Sequence, residues 1–221
     1  MPQHALVLGA SRGLGLGLVT EFQSRGWQVI ATERTHSEAL HATGVTVETA
    51  DVTDHASIDS LAARVTGPLD LLFIVSGQWG PAHQDPLQTS ADETAALFMA
   101  NVVGPVAAAM KLASKIAPAG TIAFMTSEMG SIAGNTQGGA YLYRASKAAL
   151  NAMAKSFSLS KQAQGRTVLG VHPGWVRTDM GGPSASIDVA TSVRGMADVI
   201  AREAGKGGFR YLDYQGRELP W

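Results

Sequence analysis

Seven short apolar runs alternate with segments of helical periodicity along the chain, and this alternation constrains the fold more than any other feature. The run 69–76 is nearly unbroken, as a strand covered on both faces of a parallel sheet requires. Alternation without a linker or low-complexity segment predicts a single doubly wound α/β domain over residues 1–221, with a central parallel sheet of about seven strands. The predicted strands are 5–9, 28–32, 45–50, 69–76, 121–126, 167–172 and 208–212.

Helical patterns occupy the gaps between these strands. The first predicted helix contains Leu14, Leu18 and Phe22, four positions apart. The others cover 37–42, 57–65, 94–115, 140–164 and 189–203. Because ligands of doubly wound sheets bind beyond the carboxyl ends of the strands, polar residues at those ends are the first candidates for a functional site.

Composition excludes several classes of partner. The 17 basic and 18 acidic residues are spread evenly, so neither nucleic acid nor a membrane surface is indicated. We see no apolar run of membrane-spanning length and no leader pattern at the N-terminus, and we expect a cytoplasmic protein. The absence of cysteine excludes disulfides and thiolate metal sites. None of the six histidines has metal-ligand helical spacing with a carboxylate, so we interpret them as surface or loop residues and predict no metal site.

The first apolar run ends in a glycine-rich turn that opens a helix. Its spacing is G-x-x-x-G-x-G, which differs from the common G-x-G-x-x-G fingerprint. Such glycines let a pyrophosphate approach the free N–H groups of a helix N-terminus, although glycines also mark ordinary turns. The position after the first strand favours a nucleotide site. Its candidate cofactor-binding residues are Gly9, Ser11, Arg12, Gly13, Leu14 and Gly15.

Two reactive side chains head an apolar stripe on the helix 140–164. Tyr143 and Lys147 lie one turn apart, and Leu150, Ala154 and Phe157 continue the same face. An ammonium beside a phenol favours the phenolate, so Tyr143 could exchange a proton near neutral pH. The structural alternative is an amphipathic helix whose Tyr and Lys extend their polar ends into solvent.

Two more polar residues are placed where they could join this pair. Ser127 follows the fifth predicted strand and could hydrogen-bond the oxygen that Tyr143 protonates. A turn or cap serine is its structural alternative. Asn101 lies within a helix shortly before Pro105, where a local kink satisfied by the amide is the structural interpretation.

Taken together, these residues resemble the short-chain dehydrogenase/reductase family over essentially the whole chain, which implies a Rossmann-type fold. The matching positions are Gly9, Gly13 and Gly15 in the cofactor turn, Asp51 and Val52 at the adenine, Asn101 in its helix, Ser127, Tyr143 and Lys147 in the catalytic group, and Pro173, Gly174, Trp175, Val176, Arg177 and Thr178 after the sixth strand. The ending Leu219, Pro220, Trp221 is similar to the carbonyl-reductase branch.

One motif departs from the family pattern. The family's Asn-Asn-Ala-Gly after the fourth strand is here Ile74, Val75, Ser76 and Gly77. Gly77 keeps the close backbone approach to the cofactor, and Ser76 and Gly77 are further cofactor-binding candidates. The asparagine that braces the central strands is missing, from which we expect a change in local stability rather than loss of activity.

The resemblance implies an oxidoreductase that transfers a hydride between nicotinamide and a carbonyl or alcohol carbon. It implies that Tyr143 is the general acid in reduction and the base in oxidation. Lys147 is expected to lower the Tyr143 pKa and to bind the nicotinamide ribose. Ser127 is expected to polarise the carbonyl oxygen, Asn101 to hold a water that links Lys147 to solvent, and Thr178 to contact the carboxamide.

The choice between NADP and NAD depends on charge near the adenosine ribose. Glu33, at the end of the second strand, could accept from a free 2′-hydroxyl, which favours NAD(H). Arg34 and Arg12 could instead bind a 2′-phosphate. We favour NADP(H), with NAD(H) as the alternative, because two guanidinium groups outweigh one carboxylate that can turn toward either arginine.

Loops beyond the strands supply the candidate substrate pocket, formed by Gln78, Trp79, Met129, Trp175 and the stretch 180–187. These residues suit a small apolar or aromatic aldehyde or ketone in an open cleft. The structural alternative is that the aromatic rings simply cap the core.

The predicted partners are a small-molecule substrate and a second copy of the chain. The far side of the Tyr143 helix carries Ala145, Ala148, Ala149, Ala152 and Met153, so the helix is apolar nearly all round. We therefore expect burial on two faces and a two-fold homodimer. The alternative function is a non-catalytic NADP(H)-binding sensor or scaffold with the same fold.

Overall fold

The computed structural model describes residues 2–221. Its sheet contains β1 (His4–Leu8), β2 (Gln28–Glu33), β3 (Thr46–Thr49), β4 (Leu69–Ile74), β5 (Ile116–Met125), β6 (Thr167–His172) and β7 (Gly208–Asp213). All neighbouring strands pair in parallel, in the order β3-β2-β1-β4-β5-β6-β7. The predicted doubly wound α/β fold is thereby confirmed.

Helices cover both faces of this sheet. They are α1 (Gly13–Ser24), α2 (Glu38–His41), α3 (His55–Arg64), α4 (Ala91–Phe98), α5 (Gly104–Leu112), α6 (Tyr141–Ser158) and α7 (Val189–Glu203). The predicted helix 140–164 is therefore too long, since α6 ends at Ser158 and only a short 3₁₀ turn, Lys161–Ala163, follows.

Alternate residues of the strands enter two separate cores. In β1, Leu6 and Leu8 join the core on one face, whereas Ala5 and Val7 join the core on the other. Both faces are buried from Ala5 to Leu8, so each of these four residues is apolar, which explains the unbroken runs in the sequence.

The strand order reverses between β1 and β4. The chain runs outward from β1 to β2 and β3, then crosses back to place β4 on the other side of β1. A doubly wound sheet binds ligands at this reversal, outside the carboxyl ends of the strands. The turns after Leu8 and Ile74 therefore open into the same crevice.

The predicted helix 94–115 is a composite. A π-helical segment, Met99–Val103, lies between α4 and α5, and a 3₁₀ turn follows. By length and a mean hydropathy of 1.6, Ala91–Lys115 could cross a membrane, contrary to our reading of the sequence. Half of its most apolar window is buried inside the protein, and α5 packs on α3 and α6, as a core helix does.

Candidate active site

The glycine-rich turn presents the N-terminus of α1 to the crevice. Gly9 has φ +93°, a conformation that L side chains rarely adopt. A β-carbon on Gly15 would lie 2.1 Å from the Gly9 carbonyl oxygen, so only glycine fits there. Arg12, at the N-cap, makes no side-chain cap hydrogen bond. The first amides of α1 are thus left for an anionic ligand, and the turn fits a dinucleotide pyrophosphate.

Helix α6 brings Tyr143 and Lys147 to the floor of the same crevice. Both are buried, with relative exposures of 8% and 3%. The Tyr143 side chain lies within interaction range of the Ser127 side chain, and both line the same cavity. The Lys147 ammonium donates to the Met125 carbonyl at 3.0 Å. The structure thus brings Ser127, Tyr143 and Lys147 together, as the sequence predicts, and excludes the alternative in which Tyr143 and Lys147 reach into solvent.

The prediction that Lys147 makes the Tyr143 phenol acidic is wrong. Burial raises the pKa of Tyr143 to about 12, while the bond to Ser127 opposes this. Burial also lowers the pKa of Lys147 to about 8. Desolvation disfavours the charged form of each group and is the main cause of both pKa shifts. Tyr143 is therefore a protonated donor throughout the physiological pH range.

Asn101 lies in the π-helical segment and is fully buried. Its Oδ1 accepts from the Gln78 amide at 2.7 Å, and its Nδ2 donates to the Gln78 carbonyl and to Ser146 Oγ. The predicted local distortion is confirmed, and the amide satisfies it by tying the end of β4 to the helix. The main-chain carbonyl of Asn101 lacks its α-helical donor, because that donor would be the amide of Pro105.

Ser127 is held by a residue that the sequence analysis missed. The hydroxyl of Tyr211, in β7, donates to the Ser127 carbonyl at 2.5 Å. The Tyr211 ring packs beside Trp221, with 5.7 Å between ring centroids. No local pattern marks Tyr211 as functional, because its role depends on the pairing of β6 with β7 and of β5 with β6.

The segment Ile74–Gly77, which departs from the family pattern, is held without the side-chain amide of an asparagine. The Val75 amide donates to the Leu8 carbonyl at 2.9 Å, and Ser76 Oγ is 3.5 Å from the same oxygen. A β-carbon on Gly77 would lie 3.2 Å from Lys147 Nζ and 3.4 Å from Asn101 Oδ1. Gly77 thus lies directly beside the catalytic candidates, which fits the predicted close approach of a cofactor.

The segment after β6 closes the opposite side of the crevice. Pro173 is fixed by Ser192 Oγ, which donates to its carbonyl at 2.6 Å, and Val176 is buried. A β-carbon on Gly13 would lie 3.7 Å from Thr178 Cγ2, so Thr178 faces the glycine-rich turn. Pro173, Gly174, Val176 and Thr178 line the cavity, and their contact with a cofactor stays a prediction.

The Glu33 carboxylate, near the expected adenosine-binding end of the crevice, is oriented differently from the prediction. Glu33 does not turn toward either arginine. Its carboxylate accepts from the Ser37 amide at 2.7 Å and contacts His41 Nε2 at 2.9 Å. Burial raises the pKa of Glu33, but the bonds from His41 and Ser37 lower it further, so the pKa lies below its ordinary value. This carboxylate is withdrawn from the crevice by local hydrogen bonds.

Arg12 and Arg34 remain exposed, with side-chain exposures of 81% and 73%. Arg12 lies 3.3 Å from Asp179, and Arg34 lies 3.7 Å from Asp51. Burial raises the pKa of Asp51, but bonds from Thr53 and the charge of Arg34 bring it below its ordinary value. Val52 is buried, and its carbonyl lies against Gly104, so Asp51 and Val52 form the wall next to Arg34.

The expectation that every histidine is a surface or loop residue is wrong for His172. His172, at the end of β6, is buried, with 8% exposure, and its Nδ1 has no hydrogen-bond partner within the described residues. Burial lowers its pKa, although Glu128 and Asp213 act in the opposite direction. In addition, donor atoms of Glu33, His36 and His41 lie within 4.8 Å of one another, an arrangement that could hold a metal ion. Helical spacing does not reveal this cluster, because its members come from β2, the following loop and α2.

A cavity of about 640 Å³ opens above Ser127 and Tyr143. Trp79, Met129 and Trp175 line it, as predicted. Gln78 does not, because its side chain donates to the Ala96 carbonyl of α4. Of the stretch 180–187, the lining includes Met180 and Gly181. Lining residues that the sequence analysis assigned neither to the cofactor nor to the pocket are Thr126, Glu128, Ser131, Gly134, Thr136, Gln137, Arg144, His172, Leu219 and Pro220.

Comparison with known proteins agrees with this geometry. The family model described as short chain dehydrogenase matches residues 3–187. The chain belongs to the short-chain dehydrogenase family. It is thus an oxidoreductase by family, and the resemblance seen in the sequence is confirmed.

Three relatives place it within the family. The C-signal protein of Myxococcus xanthus is 42% identical over 161 residues, which span 71% of this chain and 95% of that protein. A short-chain dehydrogenase/reductase of Burkholderia multivorans with bound NADP is 37% identical, with a TM-score of 0.96 and full coverage of both chains. A carbonyl reductase of Pseudomonas aeruginosa PAO1 in complex with NADP is 35% identical, with a TM-score of 0.93 and full coverage of both chains.

Proposed function

We propose that this protein is an NADP(H)-dependent carbonyl reductase acting on small apolar or aromatic aldehydes and ketones. The observation that carries the proposal is the placement of the Tyr143 and Ser127 side chains together in the lining of one cavity, with the buried Lys147 one helical turn from Tyr143. An oxygen placed between the two hydroxyls receives two donors. The solved carbonyl reductase with bound NADP, at 35% identity, supports the same reaction class.

In this mechanism Tyr143 and Ser127 act on the carbonyl oxygen. Ser127 donates a hydrogen bond that strengthens as negative charge develops on that oxygen. Tyr143, protonated because its pKa is about 12, transfers its proton to the forming alkoxide. The bond from Tyr211 to the Ser127 carbonyl holds the serine in place for this role. NADPH, when bound, supplies the hydride to the carbonyl carbon.

Lys147 orients the cofactor and returns the proton. Its ammonium lies beside Gly77, where it can bind the nicotinamide ribose hydroxyls. A water at the main-chain carbonyl of Asn101, whose α-helical donor position is occupied by Pro105, would connect the ammonium to solvent and replenish the Tyr143 proton. This refines the predicted role of Asn101, whose side-chain amide is already occupied by Gln78 and Ser146.

The preference for NADP(H) rests on the charges at the adenosine end. Arg12 and Arg34 project into solvent beside the glycine-rich turn and can bind a 2′-phosphate. Glu33 is held by Ser37 and His41 and does not compete for a ribose 2′-hydroxyl. The NADP found in the Burkholderia multivorans relative supports this choice.

The proposal includes a two-fold homodimer through α6. In the single chain Ala145, Ala152 and Met153 are exposed, so the helix is buried on one face only. Met110, on the adjacent α5, is also exposed, at 46%. A second subunit placed on this surface would bury these exposed apolar side chains. The helix would then be buried on two faces, as expected from the sequence.

The non-catalytic alternative draws on one observation, the name of the 42% identical C-signal protein, which describes a signal rather than an enzyme. A pure binder has no need for a buried phenol, serine and lysine around one cavity. NADPH oxidation over a panel of aldehydes, ketones and quinones tests the choice. Turnover with at least one apolar carbonyl supports the reductase. NADPH binding without turnover across the panel favours the sensor or scaffold.

A further inference from the structure

The catalytic helix α6 begins without a cap of its own. Its N-cap residue is Ala140, which has no side-chain acceptor for the free amides of the first turn. By contrast, Ser90 caps α4 and Asp188 caps α7 through their side chains. The uncapped amides of α6 include that of Tyr143 itself.

Gln84 supplies the missing acceptor from a distant segment. Its Oε1 accepts from the Tyr143 amide at 2.8 Å, across 59 positions of sequence. Gln84 is buried, with 6% exposure, and does not line the cavity. A buried glutamine therefore bonds to the backbone of the proposed proton donor from outside the catalytic group.

The other end of the same side-chain amide binds the loop that contains Trp79 and Pro81. Gln84 Nε2 donates to the Trp79 carbonyl at 2.9 Å and to the Pro81 carbonyl at 2.8 Å. The Trp79 ring stacks on the Tyr143 ring with 4.7 Å between centroids and 27° between planes. One side chain thus fixes both the backbone of Tyr143 and the loop whose tryptophan covers it.

The backbone at Gln84 is held in an unfavourable conformation to achieve this. Its φ is +53°, in the left-handed region that glutamine rarely occupies. An unfavourable backbone conformation persists where several surrounding contacts hold it in place, and such conformations concentrate at functional sites. Three hydrogen bonds from one buried amide provide those contacts.

We infer that Gln84 is a positioning residue that latches Trp79 across Tyr143 and thereby determines selectivity for aromatic and other bulky carbonyl substrates. It touches neither substrate nor cofactor and acts through the loop and the first turn of α6. The kinetic consequences of this inference rest on the proposed carbonyl-reductase function. The latch itself, meaning the hydrogen bonds of Gln84 and the stacking of Trp79 on Tyr143, is a property of the free protein.

Two substitutions distinguish the acceptor role of the Gln84 side-chain amide from its donor role. Gln84→Glu keeps an acceptor for the Tyr143 amide but replaces the donor that binds the Trp79 and Pro81 carbonyls. Gln84→Asn keeps both groups and tolerates a positive φ, but it is one methylene too short to span the contacts. The exposed Gln88, in the same segment, provides the matched controls Gln88→Glu and Gln88→Asn.

The kinetic test compares a bulky aromatic aldehyde with a small aliphatic one, with NADPH as the reductant. For Gln84→Glu we expect KM for the aromatic aldehyde to rise about tenfold with kcat nearly unchanged. For Gln84→Asn we expect kcat to fall as well, by about tenfold or more, because the Tyr143 backbone is released. The KM for NADPH should stay within about twofold of wild type in both variants. Equal losses for both aldehydes, or a parallel rise in the KM for NADPH, would show a merely structural role and overturn the inference.

Trp79 fluorescence tests the contact between Trp79 and Tyr143 without any turnover. The emission difference between the wild type and Trp79→Phe isolates Trp79, and the same difference is measured in each Gln84 background. Loss of the Tyr143 contact should change the emission and acrylamide quenching of Trp79 in Gln84→Glu and Gln84→Asn, but not in the Gln88 variants. Unchanged Trp79 quenching in both Gln84 variants would refute the latch. Absence of turnover in the wild type would instead refute the proposed function and leave this readout valid.

Discussion

The Nζ atom of Lys147 lies 5.7 Å from the centre of the Tyr143 ring, over its face and one turn further along α6. Both groups are buried, so each is pushed toward its neutral form, with pKa values of about 8 for Lys147 and about 12 for Tyr143. The ionisation that falls nearest to physiological pH is therefore that of the lysine rather than the tyrosine.

This arrangement predicts the pH dependence of cofactor capture. The kcat/KM for NADPH, which reports ionisations of the free enzyme, should be constant below about pH 8 and decline above it as Lys147 loses its proton. The measurement is initial rates over a pH series with a saturating aldehyde. Replacing the exposed Lys155 of the same helix by Met should leave the profile unchanged. A profile that stays flat to pH values near the ordinary lysine pKa would contradict the burial argument.

Burial of Lys147 also predicts a stability effect with a definite sign. The folded-state pKa lies below the ordinary value of 10.5, so the unfolded chain binds more protons between these values and the free energy of unfolding rises with pH. From pH 8 to pH 10 the wild type should gain on the order of 2 kcal/mol relative to Lys147→Met. Urea unfolding at a series of pH values measures the difference. A constant difference across this range would show that Lys147 titrates normally.

Arg34 should determine the preference for NADPH. Arg34→Ala removes a charge-assisted contact to the 2′-phosphate, so kcat/KM for NADPH should fall about 10- to 100-fold. The value for NADH should change much less, because NADH lacks that phosphate. Arg64→Ala, which removes an exposed arginine paired with Glu48 of β3, is the control. Equal losses with both cofactors would remove Arg34 from the phosphate site.

The exposed face of α6 should mediate dimerisation. Met153→Glu places a charge in the apolar surface and should convert a dimer into a monomer, as measured by light scattering after size exclusion at micromolar concentration. Leu87→Glu, at a residue that is 95% exposed in a loop, should leave the dimer intact. A wild-type chain that is already monomeric would refute this part of the proposal.

Most of the fold could be predicted because unbroken apolar strand runs and strand–helix alternation are local properties. The errors lie where local signals conflict. The prediction started the fifth strand at position 121, whereas β5 begins at Ile116, because Pro118 and Gly120 interrupt the apolar pattern near a register shift against β4. The Ser90–Glu93 capping box starts α4 at Ala91, and this signal was present in the sequence but not used.

The site was predictable to the extent that it consists of family motifs. Ser127, Tyr143, Lys147 and Asn101 were found in this way, and the structure brings them together. Tyr211 and Gln84 could not be found, because their roles arise from contacts across 84 and 59 positions of sequence. The wrong direction of the Tyr143 pKa has the same origin, since sequence spacing shows a charged neighbour but not the burial of both groups.

The central claim is hydride transfer to a carbonyl carbon with Tyr143 as proton donor. The most direct test incubates the protein with NADPH deuterated at the transferable C4 position and an aromatic aldehyde, and measures deuterium in the alcohol by mass spectrometry. We predict one deuterium on the carbinol carbon with the wild type and a rate at least about 100-fold lower with Tyr143→Phe. An unlabelled alcohol, no alcohol from any carbonyl in the panel, or an undiminished rate in Tyr143→Phe would contradict the account.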